Sequence, residues 1–167
     1  DLLAAPEYGI AASNKTILLI TFVVPVMGRL VSARFWGILF DRLNFALWRV
    51  IVNAMFVGSF VLYFNFTQLW VITIGAALLG VGMGGGMIGW QLWITKLAPP
   101  ERVSDYMSIH TLCTGLRGMI APWIGYGLIE AISPSGVSVF SMVLLLVSSS
   151  MFLTIRHNRR LTGSHHA

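Results

Sequence analysis

The chain has 167 residues, of which 56% are hydrophobic and only 10% charged, against roughly 25% charged in an ordinary soluble domain. Several apolar stretches reach the ~20 residues that cross a ~30 Å hydrocarbon core, which excludes a soluble globule, and the runs do not alternate as barrel strands do. The net charge of +5 does not mark a nucleic-acid binder, because the basic residues sit at helix ends and in loops, where membrane orientation places them.

In chain order, residues 1–14 are polar and read as an outer loop. The chain opens on Asp1, so an upstream part is expected to be missing. The first span is expected over 15–40, with Pro25 removing a backbone donor and with Arg29 and Arg34 inside it. A short polar turn around Asp41 and Arg42 leads to a second span over 45–64, whose interior polar residue is Asn53. Asn65-Phe-Thr67 matches a glycosylation sequon, but it lies so close to the membrane surface that chance is the better reading. The third span, 69–95, is rich in glycine, and Gly82 with Gly86 and Gly85 with Gly89 are spaced for close helix packing. Gly80-Val-Gly82-Met-Gly84-Gly85 also fits a nucleotide-binding pattern, yet no strand–turn–helix unit surrounds it.

Pro99 and Pro100 end the third span, and Ser104 can cap the fourth, expected over 105–130, with His110, Arg117 and Pro122. A turn at Ser133-Pro134-Ser135-Gly136 leads to a fifth span over 137–155. Residues 156–167 form a basic cytoplasmic tail. If spans one, three and five end inside, eight basic residues (Arg34, Arg42, Arg49, Lys96, Arg102, Arg156, Arg159 and Arg160) lie at the inner face against Lys15 outside. The start is therefore outside and the end cytoplasmic.

Arg29 lies 12 residues from Asp41, and Arg117 lies 12 residues from Asp105. At ~1.5 Å per residue each is ~18 Å deep, near the bilayer midplane. A central charge costs at least ~2.5–3.5 kcal/mol on insertion scales, so each needs a cavity or a partner. One reading gives these arginines to an anionic substrate; the other gives them to backbone carbonyls or to an acid in the missing segment. Tyr106, His110 and Arg117 share one stripe of the fourth span. Arg29, Arg117, His110 and Gln91 are thus the substrate-binding candidates, with His110 open to a proton relay or to plain packing. Cys113 reads as a small packing residue. No nucleophile elbow, zinc helix or intramembrane carboxylate pair is present, so no enzyme, metal or cofactor is expected.

The turn Gly37-Ile-Leu39-Phe-Asp41-Arg42 resembles the loop motif G-x-L-x-D-R-x-G-R-R of the major facilitator superfamily. Asn44 replaces its glycine, and Phe45 and Ala46 replace its basic pair. Ala98-Pro99-Pro100-Glu101-Arg102 is similar to the link between helices four and five of a superfamily half. Gly118-Met-Ile-Ala121-Pro122-Trp-Ile-Gly125-Tyr126-Gly127 resembles the antiporter motif, with departures at Ala121 and Tyr126. The resemblance implies an all-α integral membrane domain, five transmembrane helices of a six-helix half bundle, matching helices eight to twelve in preference to two to six. It further implies secondary transport of a small solute by alternating access, and the intramembrane positive charge alone points to an organic anion as that solute. Gly37, Asp41, Arg42 and Arg49 would serve the gating loop, and Gly82, Gly86, Gly89 and Pro122 the helix packing. The implied partners are the lipid bilayer, the other half, a small-molecule substrate and a coupling proton or ion. The expected location is a bacterial inner (plasma) membrane, and the rival reading is a non-transporting membrane sensor or scaffold subunit.

Overall fold

The computed structural model describes residues 13–155, and these form helices joined by short connections. The expected basic tail at 156–167, and the outer loop up to residue 12, lie outside the described residues.

Helix α1 (Asn14–Arg42) starts at Ser13, whose Oγ accepts the Thr16 N–H at 3.3 Å and so satisfies one of the first free donors. A π turn occupies Leu19–Val23, one turn before Pro25. Proline has no N–H for the carbonyl four residues back and its ring crowds that carbonyl, so a widened turn there relieves the clash. Thr21 Oγ donates to the Ile17 carbonyl at 2.7 Å inside this region.

Helix α2 (Phe45–Phe64) follows after two residues. Asn44, which stands where the loop motif has glycine, has φ −59° and ψ 134°, a conformation that does not require glycine. Its Oδ1 accepts the Ala46 N–H at 2.8 Å, so the substitution supplies an N-cap. Asn44→Ala is therefore expected to cost about 1 kcal/mol, and Asn44→Asp to retain most of it. The thermal midpoints of the two variants in detergent check this.

Helix α3 (Leu69–Leu97) lies between α1 and α2. Its glycines let both neighbours approach. A Cβ on Gly80 would fall on the Pro25 backbone of α1, and one on Gly84 would come within 2.9 Å of Ser32 Oγ. On α1, a Cβ on Gly28 would meet the Ala77 carbonyl at 2.8 Å. Toward α2, a Cβ on Gly89 would fall on the Trp48 ring and one on Gly82 would meet Met55 at 3.3 Å. Side-chain hydrogen bonds tie the seams, as expected where water supplies no alternative partner. Trp36 Nε1 donates to the Val81 carbonyl at 2.7 Å, and Ser59 Oγ to the Gly75 carbonyl at 2.9 Å. Trp36, Phe40, Phe45 and Trp48 make one buried aromatic cluster.

A short 3-10 turn (Pro100–Arg102) precedes α4 (Val103–Ile155), in which Ser133 alone leaves helical geometry, at φ 69° and ψ 160°. Pro134 then opens the second arm (134–155), a position that suits its missing N–H, and Ser133 Oγ accepts the Gly136 N–H at 3.4 Å. The expected four-residue turn is thus condensed into one residue. His110 on the first arm (103–132) and Phe152 on the second line the same cavity. In a straight helix they would be ~63 Å apart, so the chain folds back at Ser133. The second arm packs on α2 through Asn53 Nδ2, which donates to Ser149 Oγ at 3.1 Å, and through Phe152 edge-on to Phe45. The outer faces of α1 and of the first arm are apolar and open: Val31 is 77% and Trp123 82% exposed. An apolar surface of this extent belongs against lipid or protein, and among the described residues four helices are long and apolar enough to cross a membrane.

Candidate functional site

A cavity of about 670 Å³ lies between α2, α3 and both arms of α4. On α2, Phe45, Arg49 and Phe56 fall on one side of the helix at spacings of four and seven and face it together. On α3, Gly86 and Gly89 hold the floor back while Met83, Met87, Trp90 and Trp93 line it. The first arm of α4 contributes His110, Cys113, Thr114 and Arg117, again one stripe of a helix.

Arg117 lays its guanidinium over Trp90, with Cζ 4.4 Å from the ring centroid. The aromatic face attracts the cation, and the planar guanidinium carries donors that suit a planar acceptor. The His110 ring stands edge-on to Trp93 at 5.4 Å and to Trp90 at 6.0 Å. Its Nε2 is buried without a hydrogen-bond partner. Arg49 and Arg117 line one cavity and repel each other, and no carboxylate stands among the lining residues. Two cations thus share an apolar, aromatic chamber.

The other candidates are distributed around it. Arg29 reaches the back of the wall at one remove: its Nη1 donates to Met87 Sδ at 3.5 Å across the α1–α3 seam. Gln91 is exposed and lines a smaller cavity of about 280 Å³ that shares His110 and Thr114 with the larger one. Asp41 and Arg42 are exposed at the end of α1, and a Cβ on Gly37 would meet nothing within 4 Å. Pro122 is exposed on the first arm. Cys113 is exposed and lines the cavity instead of filling a packed seam, and Tyr106, on the same stripe as His110, is 47% exposed. Among the described residues no group of His, Cys, Asp or Glu could hold a metal ion.

Sequence reasoning missed Arg49 as a cavity residue, having counted it at the inner face. The signal was the Phe45–Arg49–Phe56 stripe, one cation between two aromatic residues on a single helix face.

Comparison with known proteins adds the following. The family model described as Major Facilitator Superfamily matches residues 2–165. A quinate permease of Emericella nidulans is 30% identical over 103 residues, covering 61% of this chain and 18% of that protein. A probable quinate permease of Aspergillus clavatus is 33% identical over 61 residues, 36% of this chain and 11% of that protein. A quinate permease of Neurospora terricola is 31% identical over 64 residues, 38% of this chain and 12% of that protein. The matches span less than a fifth of the length of these relatives. No solved structure matches the chain.

Proposed function

The chain belongs to the Major Facilitator Superfamily, and we propose that it serves the transport of a small organic anion across a membrane by alternating access. The observation that carries this reading is Arg117, its guanidinium over the Trp90 ring, sharing with Arg49 a cavity that no carboxylate lines. A cation held in the membrane is expensive unless something answers its charge, and a transported anion does so reversibly. The relatives are named for quinate, the anion of an organic acid, which agrees with that class. Nothing in the cavity favours a sensor or scaffold.

In this reading α4 crosses twice. Its 53 residues would extend ~80 Å as one helix, against a ~30 Å core. The five spans then run from an outer start to a cytoplasmic end and correspond to helices eight to twelve of a twelve-helix transporter, whose other half closes the pathway. The two halves rock about the bound solute. Asp41 and Arg42, with Gly37 giving a smooth helix face beside them, latch the α1–α2 connection in the outward-facing state. In the same reading His110, whose Nε2 lacks a hydrogen-bond partner, is assigned to a coupling proton, and Gln91 and Arg29 support the wall. The chain is an integral membrane protein; the relatives are fungal and lend nothing to a bacterial inner membrane.

Thermal unfolding of the full-length protein in detergent tests the substrate class. A ligand that binds only the folded state adds ~2.7 kcal/mol at one hundred times its dissociation constant. Small organic anions are expected to raise the midpoint, and organic cations, neutral sugars and peptides to leave it unchanged. A rise with sugars or cations and none with anions overturns the assignment.

A further inference from the structure

The walls of the cavity also constrain the body to which the anionic group is attached. We infer that the cavity takes a carboxylate carried on a flat, unhydroxylated ring, gripped by Arg49 and Arg117 together. This rests on the organic-anion reading above.

The grip follows from the two cations. Arg49 comes from α2 and Arg117 from the first arm of α4, and both line the cavity. Their charges repel, so the arrangement is relieved when one anion lies between them. A carboxylate offers two oxygens in one plane, and the fork of Arg117, over the Trp90 ring, presents its donors in a plane as well, the geometry of bidentate pairing. A bare halide would use the charge but not the plane.

The ring follows from what the rest of the wall lacks. Phe45 and Trp93 lie near-parallel, 26° between planes with centroids 6.4 Å apart, and Phe56, Met83 and Met87 continue the apolar lining. Thr114 carries the lining's one hydroxyl among the described residues. His110 Nε2 and Thr114 could answer one or two hydroxyls of a ring, but a ring bearing several would set the others against aromatic or thioether groups with no partner, a cost that rises with each one left unpaired. A bare ring incurs none of it and stacks on the aromatic surface. A 670 Å³ chamber lies in the range that houses small molecules and holds a one-ring acid with room to spare.

The test is equilibrium binding to the full-length protein in detergent, with labelled benzoate, quinate, benzylammonium and glucose as probes. Quinate carries the same charge as benzoate on a hydroxylated, non-planar ring, and benzylammonium carries the same ring with the opposite charge. Benzoate is expected to bind saturably and at least ~10-fold tighter than quinate. Arg49→Gln and Arg117→Gln are each expected to weaken benzoate roughly 10-fold or more, as loss of a hydrogen bond to a charged group does. Arg49→Lys keeps the charge without the fork and should fall between; it also serves if Arg49→Gln does not fold. If quinate binds more tightly than benzoate and loses its affinity in Arg117→Gln, the anion reading stands and the flat-ring inference fails. If benzoate binds the parent and both glutamine variants alike, the two arginines are not the grip and the inference is overturned. If only benzylammonium or glucose binds, or none of the four does, both readings fail.

Discussion

Gly89→Leu and Gly80→Val will each abolish accumulation of folded protein. Both glycines lie on α3, the helix against which α1 and α2 pack. At Gly80 the added carbon would land on the Pro25 backbone, and backbone cannot rotate away. At Gly89 it would land on the Trp48 ring, which is buried and fixed by edge contacts with Trp36 and Phe40 and by stacking on Phe45. Overpacking a fitted core costs about 1–3 kcal/mol and occasionally more. Several carbons driven into an immovable neighbour can consume most of a native stability of about 5–15 kcal/mol. Gly86→Ala is the internal control, because its nearest neighbours are Phe56 ring atoms at 3.8 Å, ordinary contact. Gly37→Ala should be neutral or stabilise by about 0.5–1 kcal/mol, as exchange of glycine within a helix does. Monodisperse yield from size-exclusion chromatography and the thermal midpoint separate the four variants. Folded Gly89→Leu protein with an unchanged midpoint would mean that α2 and α3 do not approach as described.

Arg117→Gln has the second large effect, and it falls on transport while sparing the fold. The guanidinium is proposed to supply a charge-assisted pair to the solute, and hydrogen bonds to charged groups are worth about 1.5–3 kcal/mol. At the upper end that is about a hundredfold in affinity. The stability ledger runs the other way. The variant gives up a cation–π contact worth about 0.5–2 kcal/mol and sheds the cost of a charge in the membrane, about 2.5–3.5 kcal/mol. Its ligand-free midpoint should therefore be unchanged or higher. Arg117→Lys keeps the charge without the planar fork and should retain a fraction of the activity. A merely structural arginine would instead lower the midpoint in both variants.

The helices were legible because membrane spans announce themselves by length and by the absence of charge. The stretch expected over 45–64 is the helix Phe45–Phe64 in the structure, and Asn44 marks its start by the same capping chemistry that operates in water. The α4 reversal was legible in place but not in form. Serine, proline and glycine in a row suggested a loop, whereas proline at the first helical position restarts the helix at once, leaving Ser133 alone to turn the chain. For the site, the sequence offered only a count along each helix. Arg29 and Arg117 are the same distance from an aspartate, and that count treats them alike. The structure separates them, because rotation about the helix axis decides what a side chain meets: Trp90 and the cavity for Arg117, Met87 at a seam for Arg29. For Arg29 that rotation goes with the close approach of α1 and α3 at Gly28, Gly80 and Gly84, and pairwise spacing such as Gly82–Gly86 does not say which neighbour a glycine meets. Arg49 was obscured for a related reason. Counting positive charges fixes the inner side of the membrane but not the direction a residue one turn into the helix faces.

The most direct measurement is counterflow of labelled benzoate and labelled quinate into proteoliposomes holding the full-length protein, with Arg117→Gln beside the parent. The account predicts that the parent accumulates at least one of the two anions saturably and that Arg117→Gln loses that uptake while keeping its thermal midpoint. Uptake of neither anion by the parent, or equal uptake by parent and variant, would contradict it.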